Sequence, residues 1–273
     1  MRRSRITGLI TLGGLVFLFV PLAVVVLFSF HRTGALSFPF TGFSLRWYRE
    51  VLSSYEFRAA AWNSLVVAAA VAGTTLVLGT AAAYGLSRST SRLRGPLAAL
   101  FFLPLTLPGL FLGIALLVYL IRVRFQLSLV TVAIGHLIYV FPYFYLMSRA
   151  AIDRLDPRLD EAGADLGAAP RRVFWRVTLP QIWPILLAAT ALSFALSFDE
   201  FLITFFVIGS DATLPLFIWS SIRRTIDPSI NTVSSLLLAF TLGVWLLALL
   251  VAIRSGRSRA PDVVAGAGAG EAT

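Results

Sequence analysis

Two carboxylates, Asp199 and Glu200, stand side by side in the otherwise apolar stretch 183–208. Read as a helix, they lie about 16 residues in, ~24 Å along it, in the outer half of a bilayer. Charge at that depth is costly and faces either a water-filled path or a partner. The chemistry open to them is therefore electrostatic. One or both attract a cation along a path, or they brace an outer gate by pairing with an arginine such as Arg223. Neighbours on a helix point about 100° apart, so the two do not face one path equally. His136, beside Gly135 in another apolar stretch, reads as hydrogen-bonded packing, and His31 carries no signal. Two lone histidines without acids at ligand spacing, in a chain without cysteine, make no metal site. No Ser/His or paired-Asp constellation suggests a catalytic residue. There is no Gly-x-x-x-x-Gly-Lys-Ser/Thr and no lysine to complete one, so no nucleotide site is expected.

A second constellation is not apolar at all. Asp156 to Gly167 reads as a short helix, with Asp156 as N-cap, Pro157 at the first position and acids at the positive end of the dipole. Gly167 suits the residue past the C-terminus, where φ is positive. Pro170 opens a second short helix carrying Arg171, Arg172, Phe174, Trp175 and Val177, and Leu179-Pro180 is expected to end it. Two short helices at an angle, joined by a glycine turn, make a rigid element suited to a cleft in a partner.

These groups need positioning, and the composition says by what. The 273 residues are 58% hydrophobic and 13% charged, with a mean hydropathy of +0.85. A core of this size cannot bury that excess, so the bilayer is the solvent. Six stretches are long and apolar enough to span: about 8–30, 62–86, 97–121, 127–147, 183–208 and 232–253. The first follows Arg2, Arg3 and Arg5, but its apolar run is too long for a signal peptide and is read as a retained helix. The net charge of +10 resides in arginines between apolar runs. This pattern fits topology and anionic headgroups rather than nucleic acid. With the N-terminus inside, 15 of the 23 cations fall on the inner side, which places both termini in the cytoplasm. Segment 148–182 is then the longest cytoplasmic connection. Segments 31–61 and 209–231 are external, with Trp47, Tyr48 and Trp62 at headgroup level. Gly73, Gly79 and Gly85 form a small-residue surface for close helix packing. Pro104, Pro108 and Pro142 kink their helices, and 255–273 reads as a disordered tail.

The charged segment resembles the cytoplasmic loop motif of the inner-membrane permeases of bacterial ABC importers: Glu-Ala-Ala, three residues, Gly, nine residues, Ile-x-Leu-Pro. Glu161, Ala162, Gly163, Gly167, Val177, Leu179 and Pro180 match it in register, with Gly163 for Ala and Val177 for Ile. The resemblance covers about 60–250. It includes Asn63-Ser64-Leu65 opening the second helix, Ala82 to Arg88 closing it, and Leu103 to Pro108 in the third. Ser197 to Phe201 and Thr213 to Ser220 are similar to the spermidine/putrescine-type permeases, specifically their second membrane subunit. The resemblance implies an all-α membrane protein of six transmembrane helices with a coupling-helix loop, a permease domain over 1–254, and no enzyme. It implies that Glu161 to Pro180 docks on a cytoplasmic ABC ATPase dimer, which binds the ATP, so that this chain carries no cofactor. It also implies a second, homologous permease subunit, an extracytoplasmic solute-binding protein and an inner-membrane location, with Asp199 and Glu200 as candidates for the path. Another small solute, an ion-coupled carrier with Asp199 or Glu200 as proton site, and a membrane enzyme are the alternatives.

Overall fold

Residues 2–34, 40, 42–156, 158–224 and 228–257 are described by a computed structural model. Twelve α-helices follow in order: α1 Arg2–Phe28, α2 Arg46–Ser53, α3 Tyr55–Arg88, α4 Arg94–Phe102, α5 Gly109–Arg122, α6 Leu129–Ile152, α7 Arg158–Asp165, α8 Pro170–Val173, α9 Leu179–Phe198, α10 Leu202–Val207, α11 Leu214–Arg224 and α12 Pro228–Arg257. Among the described residues the only extended pairing is an isolated bridge between His31 and Phe43. Pro157, expected at a helix start, and most of the expected tail, 258–273, lie outside the described residues.

Each expected apolar stretch carries helix, but not always as one span. Four helices are long and apolar enough to cross: Ile10–Phe28, Tyr55–Arg88, Leu129–Ile152 and Pro170–Phe198. The third stretch, 97–121, is not one kinked helix. Arg94–Thr106 and Gly109–Arg122 meet at 107°, and make a fifth span only if counted together. Two prolines bring this about: Pro104 sits in a 3₁₀ turn, Leu103–Thr106, and Leu107 before Pro108 is extended. The Pro108 carbonyl then accepts the N–H groups of Phe111 and Leu112, restarting the helix. Pro142, by contrast, lies inside an unbroken α6. Pro228–Val244 is a shorter apolar helix within α12.

The chain forms two compact units, and several helices contribute to both. The first holds residues up to 67, 113–135 and 198–242. Here Trp47 is buried, and its indole Nε1 donates to the His31 carbonyl at 2.8 Å. Its N–H is satisfied inside the protein rather than by headgroups or water. His31 is buried too, with Nδ1 3.0 Å from the Thr33 hydroxyl. Tyr48 meets Ser29 at 2.8 Å, and Thr232 donates to the Ser29 carbonyl at 3.2 Å. Trp62 is exposed.

The second unit holds 68–112, 136–197 and residues from 243 onward. Its core is Ala83, Phe144, Tyr145, Ile152, Ile182 and Leu186, with Phe101 and Phe102 packed edge-on against the Tyr145 ring. Of the three glycines expected to form a packing surface, Gly79 lies directly under the Phe144 ring, whereas Gly73 and Gly85 meet open space. Gly79→Ala is therefore expected to lower stability by about 1–3 kcal/mol through overpacking, seen as a lower thermal midpoint in detergent. Phe144→Leu in the same chain should recover part of that loss.

Candidate functional site

Asp156 Oδ1 accepts the Arg158 N–H at 3.0 Å, capping α7. The helix lies between the two expected cap residues, and its end closes at Gly167. The Gly167 N–H reaches the Ala164 carbonyl at 2.8 Å, and the Ala168 N–H reaches the Gly163 carbonyl at 2.9 Å. This pair of bonds is a Schellman closure, and Gly167 takes the left-handed φ of +73° that it requires. Asp160 and Glu161 occupy the first turn, at the positive end of the dipole. No residue of α7 is buried; Glu161, Ala162 and Gly167 are exposed, and Leu166 is 88% exposed.

The back of α7 rests on α8. A Cβ at Gly163 would come within 2.7 Å of Val173 Cγ2, so the glycine lets the two helices touch. The expected stop at Leu179-Pro180 is absent. Pro170–Phe198 runs as one apolar span, through a π turn at Phe174–Thr178. Pro180 has no N–H and its ring crowds the carbonyl four residues back. A wider i→i+5 turn just before it removes that conflict without breaking the helix. Val177 and Leu179 are half-buried and Pro180 is exposed. At the end of α3, Arg88 Nε lies 2.6 Å from Asp160 Oδ2, and the Tyr84 ring sits 4.6 Å from that of Phe174. Three elements thus converge behind the exposed face of α7: the end of α3, α8 and the π turn. The Arg88–Asp160 contact was not foreseen, since nothing local selects one arginine among many.

Asp199 and Glu200 are not within a helix. The span ends at Phe198 and α10 begins at Leu202, leaving the carboxylates in the break. Glu200 Oε2 accepts the Ile203 N–H at 3.1 Å, and its carbonyl accepts the Thr204 hydroxyl at 3.1 Å. It therefore starts α10 as a capping group does. A carboxylate directly before the apolar run Phe201–Ile208, three residues ahead of the Ile203 N–H, was the available sign of that restart. Asp199 is exposed and has no hydrogen bond or ion pair among the described residues. Arg223 pairs with neither carboxylate, because its guanidinium lies over the Trp219 ring, 5.1 Å from the centroid.

Two further polar contacts position loops. Asn63 and Ser64 do not open a helix, since α3 begins at Tyr55. From inside it, Asn63 Nδ2 donates to the Ala212 carbonyl at 2.9 Å, and Ser64 Oγ accepts the Leu214 N–H at 2.8 Å. They hold the segment leading into α11. His136 is buried against Ser197 Oγ at 2.8 Å, as hydrogen-bonded packing requires. Among the described residues no cluster of His, Asp or Glu could hold a metal ion.

Residues 75–254 match the family of binding-protein-dependent transport system inner membrane components. This chain belongs to that family. It is 32% identical over 263 residues to the putrescine transport system permease protein PotI of Escherichia coli K12, covering 93% of each chain. It is 26% identical over 248 residues to the spermidine/putrescine transport system permease protein PotC of the same strain, covering 90% of this chain and 94% of that one. A bacterial ABC transporter that imports the acidic polysaccharide alginate has the same fold, with TM-score 0.68, 13% identity, and coverage of 94% and 96%. The architecture is that of a type I ABC importer permease, and the chain is a transport component of the membrane. Position 163, where the motif quoted above has alanine, holds glycine, and Val173 fills the space. Gly163→Ala is expected to loosen α7 from α8, with amide exchange over Arg158–Val173 faster by roughly fivefold for about 1 kcal/mol of overpacking. Val173→Ala in the same chain should reverse it.

Proposed function

We propose that this chain forms half of the path of an importer for polyamines such as putrescine or spermidine, driven by a separate ATPase that docks on Glu161–Pro180. The observation that carries the docking site is α7 itself. An eight-residue helix that buries none of its residues is marginal alone. Yet it is capped at both ends, backed by Val173, and offers Glu161, Ala162 and Leu166 outward. A rigid and exposed element of that kind suits a cleft in a soluble partner. The arginine bias supports a cytoplasmic position for it and for both termini. The partners are an ABC ATPase dimer, a second permease and an extracytoplasmic solute-binding protein; the family's dependence on a binding protein supports the last.

The substrate class rests on the two Escherichia coli relatives, whose names specify putrescine and spermidine. These amines are cations at neutral pH. Of the two carboxylates, Asp199 is the one that meets the cation, because Glu200 spends an oxygen on the Ile203 N–H while Asp199 has no partner among the described residues.

Glu161→Arg is expected to abolish ATP-driven uptake while the chain still inserts; uptake at the native rate would remove α7 from the docking role. Asp199→Asn should raise the KM for putrescine at least about tenfold, the loss of one charge-assisted contact. Unaltered uptake kinetics would return Asp199 to a structural role. Uptake persisting without the ATPase subunit would favour the ion-coupled carrier instead.

A further inference from the structure

We propose that the Arg88–Asp160 pair is the tie through which a displacement of α7 is handed to α3, which makes both of them positioning residues for the coupling step. The inference rests on the reading of α7 as the ATPase dock.

α7 has few attachments through which a push could travel. None of its side chains is buried. Gly163 leans on Val173 of α8, the next element in the chain. Among the described residues the one polar contact from α7 to a helix distant in sequence is Asp160 with Arg88. Arg88 is the last residue of α3, a 34-residue helix. At 1.5 Å per residue that is a rod of about 50 Å, so motion delivered at its end is carried along its length.

The pair is built to hold. Its side chains are only 29% and 28% exposed, where Coulomb attraction is screened less than on an open surface. The Arg88 guanidinium also lies 5.9 Å from the centroid of the Tyr84 ring, and that ring rests on Phe174 at the start of the π turn. Arg88 is thus pre-oriented by its own helix and by the span that follows the dock. The Nε–H does not point at the carboxylate, and Asp160 Oδ1 meets no donor. The contact is therefore a close charge pair rather than an aligned hydrogen bond, and a charge pair tolerates rotation of α7 without letting go. Deeper along α3, Ala83 shares the apolar core with Ile182 and Leu186, beside a cavity of about 660 Å³ lined in part by Thr80, Tyr84, Phe174 and Trp183. That packing joins α3 to the span that follows the dock, whereas Arg88 is the polar contact from α3 to α7 itself.

The test uses the complete transporter, with its ATPase and binding protein, in proteoliposomes, reading putrescine taken up per ATP hydrolysed. Arg88→Gln and Asp160→Asn should each lower that ratio by at least about fivefold, the low end of coupling between sites, while the ATPase still copurifies. The reversed pair, Arg88→Glu with Asp160→Arg, should return it to within about twofold of the native value. The chain has no cysteine, so Arg88→Cys with Asp160→Cys can be bridged by a short thiol-specific cross-linker without background from this chain. A rigid tie predicts that the bridged transporter keeps at least half its uptake. Native ratios in the single variants, a reversed pair no better than either single, or loss of uptake on bridging would each overturn the proposal. Glu161→Arg in the same preparation separates the two failures. If it too leaves uptake intact, the docking assignment falls; if it alone abolishes uptake, only the tie falls.

Discussion

Inside a bilayer no water is available to satisfy a backbone N–H or C=O that leaves a helix, so each interruption of a span must be closed by the protein. This constraint organises the described residues. Where 97–121 turns through 107°, the Pro108 carbonyl takes two N–H groups and restarts the helix. Where the span ends at Phe198, Glu200 supplies the acceptor for Ile203 and Thr131 donates its hydroxyl to the Val207 carbonyl at 2.6 Å. The segment before α11 is held by Asn63 and Ser64 from inside α3. The polar residues of the apolar helices are thus mostly occupied with backbone rather than solute. Asp199 stands out because it is not so occupied.

The same constraint separates what could be read in advance from what could not. The segment Asp156–Pro170 was legible because its signals are local. Gly167 must take a positive φ, Asp156 caps the residue two ahead, and Pro170 opens the next helix. The break at Asp199 was less so, because 183–208 is long and otherwise apolar and its one local sign is Glu200, whose carboxylate caps Ile203 three residues on. The burial of Trp47 was hidden for a related reason. Its amphipathic ring suits headgroups in general, and only the nearby His31 carbonyl draws it inside. The continuation through Pro180 shows that proline does not by itself end a helix when a π turn can absorb the missing donor.

That continuation changes how α7 and α8 connect to the span. Had Leu179-Pro180 ended the second short helix, α7 and α8 would form a hinged appendage. Instead α8 is the first turn of a span that runs unbroken to Phe198, next to the carboxylates. A displacement of α8 is therefore a displacement of that helix, with no loop between to dissipate it. Glu200, which caps α10, follows two residues after the end of that helix. On the proposed docking of Glu161–Pro180, a soluble motor would act on the Pro170–Phe198 helix directly, with no hinge at Pro180 in between.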